Sequence, residues 1–376
     1  MMNVTPTATL ATTNATETCV DIENNSVNVF LMSVYILAFV FGLILNVLTL
    51  YPICQQVKQQ NVLGIFLLNL SISDLLLIFT TPLWINYYRW NHHWGLGGKS
   101  CSVAGFFYYS NMYISIYLLC CISVDRCLVV CYPLRFKHHR TSRYAWVQCV
   151  VVYALVIIIH VFILKNDELA DAHHDIHNSD RCYETYPMKR NVAMFNMIRV
   201  GFGFILPLLV LGVSYWKVLA TVGKSPGLTA PAKRKVRLLS YGVIGIFSVC
   251  FAPYHILLFV RSYVRYFNEE KLHCAFERQM HFPFSSTLAI SSLNCVVDPV
   301  LYVLNSSKFE IFHVNQDTRE RLRQSDINTR NVFVGYNTHC NELPQVADGL
   351  PVASNTPLLD GARSAISPRR LRQGQR

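Results

Sequence analysis

The stretch SNMYISIYLLCCISVDRCLVVCYP, residues 110–133, sets an acid and a base, Asp125 and Arg126, side by side near the end of a long apolar run. Roughly 18 residues with few charges suffice to span a bilayer. An ionisable side chain at the centre of a membrane helix costs about 2.5–3.5 kcal/mol on insertion scales. What the chain gains from this charged pair depends on its surroundings.

Outward from it the pattern repeats. Of 376 residues, 52% are hydrophobic and 15% charged, where soluble domains carry about a quarter charged. Seven apolar runs reach membrane length: 29–53, 62–85, 104–131, 144–164, 193–219, 236–263 and 282–304. Lipid offers no hydrogen bonds, so each must satisfy its own backbone as a helix. The expected fold is an all-α membrane protein, a seven-transmembrane helix bundle spanning 29–305.

Orientation follows from the loops. Arg135, Lys137, Arg140 and Arg143 follow helix three; Lys217, Lys224, Lys233, Arg234, Lys235 and Arg237 follow helix five. Such an excess marks the cytoplasmic side, which puts the N-terminus outside, as in a multi-pass plasma-membrane protein. Residues 1–28 form an extracellular segment with glycosylation sequons at Asn3, Asn14 and Asn24 and without a cleaved signal peptide's basic start and apolar core. Residues 306–316 have Phe309, Ile311, Phe312 and Val314 on a helical period, a short amphipathic helix on the inner surface. Residues 317–376 are expected to be a disordered cytoplasmic tail. The net charge of +11 reflects topology and lipid contact; no nucleic-acid motif accompanies it.

Most of the thirteen Cys lie in or beside helices, but Cys19, Cys101, Cys182 and Cys274 are on the outer side. An oxidising compartment favours pairing them, and four cysteines allow three connectivities. Deep polar residues are few: Asp74, Asp298, Arg199 and His255, besides the Asp125–Arg126 pair. A buried Asp serves either as a hydrogen-bond hub or as part of a switch. Pro82, Pro207, Pro253 and Pro299 lie inside helices two, five, six and seven, where each removes a backbone bond and favours a kink.

Taken in order, Asn46 in LILNVLTL, Asp74 in NLSISDLL, Cys101, Asp125–Arg126–Cys127, Pro207 with Tyr215, FSVCFAPYH at 247–255 and NCVVDPVLY at 294–302 resemble the rhodopsin-like (class A) G-protein-coupled receptors. The resemblance implies a switch set of Asp125, Arg126, Tyr215, Phe251, Pro253, Asp298, Pro299 and Tyr302. In it Asp125 restrains Arg126 until activation, when Arg126 helps receive a heterotrimeric G protein; arrestin and receptor kinases are further implied partners. It also implies a sodium site at Asp74, Ser115, Asn294 and Asp298, and otherwise no cofactor. Three residues depart from the pattern: Cys127 replaces a usual Tyr, Phe251 a usual Trp, and Tyr153 a usual Trp in helix four. Relatives often tie the Arg to an acid at the inner end of helix six. Here that end reads KRKVR, 233–237, so no such lock forms, and appreciable basal activity is expected.

YISIYLLCCISVDR, TPLWINYYRWNHHW, CYETYPM and VCFAPYHILLFVRS resemble the proton-sensing receptor group and its relative that responds to lysolipids and oxidised fatty acids. That likeness favours the pairs Cys101–Cys182 and Cys19–Cys274. Proton-sensing candidates are His92, His93, His160, His173, His174, His177, His273 and His281, with Asp74. Ser285 and Val156 stand where the acid sensors carry His and Glu, so a shallow acid response is expected. A lipid needs a cationic anchor and an apolar cavity; Arg199 and Arg261, with Tyr108, Tyr109, Tyr113, Tyr254 and His255, are the candidates. The expected function is therefore a receptor for a lipid or a proton signal. A transporter would show an internal repeat or paired broken helices, and an enzyme a metal or nucleophile constellation; neither pattern is present.

Overall fold

The computed structural model describes residues 25–136, 140–165, 181–184, 188–224, 229–267 and 273–305. Asn3, Asn14, Asn24, Cys19, His173, His174, His177, the 306–316 helix and the tail lie outside them, as do the side chains of His273 and Cys274. The described residues are helical with no strand. Seven helices reach membrane length: Asn25–Lys58, Val62–Arg89, Gly98–Cys131, Ser142–Lys165, Arg190–Lys224, Ala230–Phe267 and Ala275–Val303.

These helices outrun the apolar stretches that announce them. Helix six starts at Ala230, so the basic KRKVR segment is itself helical. Hydropathy reports the hydrocarbon thickness, whereas the backbone ladder continues into the interface wherever helix formers follow. Outward-facing side chains such as Leu48, Phe79, Ile158 and Trp216 are large, apolar and exposed, a surface suited to lipid and costly in water.

Helix three is the axis of the bundle, packed against helices two, four and five. Its Ile116, Leu118, Leu119 and Ile122 are completely buried. Helix one packs on helices two and seven, and helix six on five and seven. Tyr153, at the departure noted in helix four, still ties that helix to helix two by donating its hydroxyl to the Asn69 carbonyl at 2.8 Å.

Pro82, Pro207, Pro253 and Pro299 each have a local solution. Pro82 has no N–H for the Ile78 carbonyl, and the Thr81 hydroxyl donates to it instead at 2.8 Å. Pro299 leaves the Cys295 carbonyl free, and Asn46 Nδ2 of helix one takes it at 2.8 Å. Ahead of Pro207 and Pro253 the chain widens into π-helical turns, Gly201–Ile205 and Phe247–Phe251. Such turns absorb a lost i→i−4 bond and re-aim the side chains beyond.

Candidate functional site

The outer cleft is built around a disulfide. Cys101 opens helix three and is bonded to Cys182, which ties residues 181–184 to the outer end of that helix. Tyr183 follows at φ 60°, and its ring fills the space beside Gly105. A Cβ on Gly105 would stand 2.0 Å from the ring, so any larger residue there must displace Tyr183. Behind this contact lies an open cleft lined by Tyr109, Tyr183, Asn196, Arg199, Tyr254 and Phe284 among others.

Arg199 is the cation at the centre of the cleft. It donates to the Tyr254 hydroxyl at 3.1 Å, and its guanidinium lies 5.6 Å from the Tyr109 ring centroid and 6.0 Å from that of Tyr113. Aromatic faces stabilise such a cation by about 0.5–2 kcal/mol. Arg261 also lines the cleft, but its Nε donates to Glu277 of helix seven at 2.6 Å with both side chains buried. His255 lies deeper, stacked on Phe204 at 4.6 Å and bonded to its own helix at Phe251 O. Tyr108 is directed to helix seven, donating to the Leu288 carbonyl.

The histidines do not act as one set. His160 Nδ1 bonds its own helix at Val156 O, 2.8 Å away, on the cleft wall. His92 and His281 come together, their rings 5.6 Å apart, beside Glu184. His92 Nδ1 lies 2.8 Å from both Glu184 oxygens. Burial works against the Glu184 charge, but the His92 imidazole, backed by His281 and Arg181, holds its carboxyl below the usual range. A carboxyl so depressed contributes stability above its unfolded value near 4.5 and loses it only below that. Glu184 therefore stays ionised from pH 8 to 6.

In the polar core, Asn111 donates to Asp74 Oδ1 at 3.0 Å, and Asn294 donates to Ser115 Oγ at 3.1 Å. Asp74 and Asp298 line one small cavity with Asn46, Ser71, Pro299 and Tyr302. Asp74 Oδ2 is buried with no hydrogen-bond partner among the described residues. Oxygen donors of this kind fit a hard monovalent cation such as sodium.

At the inner end, Asp125 Oδ2 lies 3.2 Å from Arg126. Arg140 of the following loop also reaches Asp125, at 2.8 and 3.2 Å. Tyr215 and Phe251 are fully buried, Phe251 packed edge-on to Phe247 at 5.9 Å. Among the described residues, no acid of helix six approaches Arg126.

Seven helices around a polar core, a disulfide-roofed outer cleft and an acid–arginine pair at the inner end define a membrane receptor. The model of the family "7 transmembrane receptor (rhodopsin family)" matches residues 45–302, and the chain belongs to that family. It is 36% identical over 296 residues to the probable G-protein coupled receptor 132 of Mus musculus, covering 78% of this chain and 74% of the relative. Human G-protein coupled receptor 68 is 36% identical over 269 residues, covering 72% of this chain and 71% of its own. Human lysophosphatidic acid receptor 4 is 33% identical over 295 residues, 76% of this chain and 77% of its own. The protein is thus a G-protein-coupled signalling receptor of the plasma membrane, and not an enzyme.

Sequence reasoning missed Glu184, Arg140 and Glu277. Glu184 stands two residues after Cys182, inside a motif used only for resemblance. Arg140 was counted for topology alone. Glu277 lies just outside the apolar run 282–304, where hydropathy drew the edge of helix seven.

Proposed function

We propose that the receptor responds to an anionic single-chain lipid, a lysophospholipid or an oxidised fatty acid, whose head group pairs with Arg199. The carrying observation is the placement of Arg199 on the wall of an aromatic cleft, its guanidinium against the Tyr109 and Tyr113 rings. An anion there gains a charge-assisted bond in a partly water-excluded site, and the Tyr and Phe walls take the chain. Likeness to human lysophosphatidic acid receptor 4 supports a lipid of this class. The N-terminus lies outside, and arrestin and receptor kinases act on the inner face. Sodium at Asp74, Ser115, Asn294 and Asp298 is an allosteric ion of the polar core.

Protons are the second reading, favoured by the two histidines, His92 and His281, held beside Glu184 with Arg181 as the charged neighbour. The discriminating experiment is a second-messenger panel on expressing cells, in metal-chelated medium. One arm scans outside pH from roughly 8 to 6; the other adds lysolipids and, as control, an uncharged monoacylglycerol. The account expects a response to anionic lipid, none to the control, and a shallow acid response. A steep acid response in lipid-free medium, with no response to lipid, reverses the ranking.

A further inference from the structure

Away from the cleft, the outer ends of helices one, two and seven converge on one buried cluster. One ligand atom each of His92, Glu184 and His281 lies within 4.8 Å of the other two. The His92 side chain is 1% exposed and that of Glu184 9%, and His281 is buried. His92 faces acceptors on both ring nitrogens. Its Nδ1 meets the Glu184 carboxylate, and its Nε2 meets Asn28 Oδ1 at 2.9 Å. The Asn28 amide is oriented by donating to Asn91 Oδ1 at 2.9 Å. A neutral imidazole carries one proton for these two acceptors, so a cation belongs between Nδ1 and Glu184, supplied by a second proton or by a metal ion.

We propose that His92, Glu184 and His281 form a binding site for a divalent transition-metal cation, with zinc the best chemical fit. Two imidazoles and a carboxylate are a known three-ligand zinc set, with water in the fourth position. Magnesium and calcium prefer all-oxygen sites. Tetrahedral bonds of about 2.0–2.1 Å place ligand atoms roughly 3.3 Å apart. His92 and Glu184 therefore open slightly, and His281 moves in by no more than about 1.5 Å. Asn28 supplies the outer partner that fixes the tautomer of a ligating His. Arg181 and Arg261 are the charged neighbours that oppose the ion, and Arg261 is already paired with Glu277. A bound ion joins helix seven to the disulfide-held loop and to the segment after helix two, and so favours whichever receptor state keeps that spacing. The proposal stands independently of the lipid reading; it uses the cluster of the proton reading, where a bound ion competes with protons for the imidazoles.

The test is thermal unfolding of purified, chelator-stripped receptor in detergent. The sequence HHDIH, 173–177, offers a competing zinc site, so the background protein carries His173→Ala, His174→Ala and His177→Ala. Zinc at a hundredfold excess over its Kd should raise the unfolding temperature by about 5 °C or more, with no shift from magnesium. His281→Phe or Glu184→Gln in that background should remove most of the shift. X-ray absorption at the zinc edge should show two imidazoles on the ion, which decides the matter where a variant cannot be purified. No zinc shift in the background protein, an equal shift with magnesium, a full shift in either variant, or a zinc shell without imidazole overturns the proposal.

Discussion

Arg140 holds Asp125 with two hydrogen bonds, Nε to Oδ1 at 2.8 Å and Nη2 to Oδ2 at 3.2 Å, whereas Arg126 reaches Oδ2 alone at 3.2 Å. The loop cation therefore competes with Arg126 for the Asp125 carboxylate. If Asp125 restrains Arg126 as the family resemblance implies, this three-way pairing bears on the inactive state.

Two substitutions should act with opposite sign. Asp125→Asn frees Arg126 and should raise basal nucleotide exchange. Arg140→Ala leaves Asp125 to Arg126 alone and should lower it. Arg140 is part exposed, so its competition amounts to about 1 kcal/mol, a roughly fivefold shift between states. Basal exchange in membranes with matched receptor levels measures both. A rise in both variants would make Arg140 part of the restraint rather than its competitor.

The buried Arg261–Glu277 pair should behave as a structural link between helices six and seven. Glu277→Gln strands a buried guanidinium and should destabilise the receptor by about 3–5 kcal/mol. The double variant Arg261→Met with Glu277→Leu should recover most of that, since an apolar pair of similar volume costs little in a buried site. Thermal unfolding of single and double variants checks it. Strictly additive losses would show that the two side chains do not act as a pair.

Gly105 and the Cys101–Cys182 bond should fail in related ways. Gly105→Ala pushes on Tyr183 and displaces the loop that carries Glu184, so lipid response should fall while the fold persists. Cys101→Ser releases the same loop and should cost about 2–5 kcal/mol, reducing surface delivery. Antibody staining of intact cells separates the two: near-normal staining for Gly105→Ala, reduced staining for Cys101→Ser.

The helices were legible because length and apolarity alone determine what a bilayer accepts, and the Cys101–Cys182 pairing came with the family likeness. Asn46, singled out from LILNVLTL, proved to be the donor that satisfies the carbonyl freed by Pro299. What sequence could not show depends on rotation and loop path. Glu277 meets Arg261 only once helices six and seven have settled their facing sides. Arg140, past a short helix at Pro133–Phe136, meets Asp125 through a placement that sequence spacing does not give. Glu184 turns inward because Tyr183 takes a left-handed backbone conformation, which a tyrosine does not advertise. The eight outer histidines looked alike as a list; among the described ones, burial beside one carboxylate is what distinguishes His92 and His281.

The central claim is that Arg199 receives an anionic lipid and Arg126 passes the signal on. The direct measurement is lipid-stimulated nucleotide exchange on G protein, in membranes carrying wild type, Arg199→Ala or Arg126→Ala at equal surface levels. The account predicts a concentration-dependent response in wild type. Arg199→Ala should need at least about tenfold more lipid, from loss of a charge-assisted bond, while keeping wild-type basal exchange. Arg126→Ala should give no stimulated exchange at any concentration. A wild-type lipid response in either variant would contradict it.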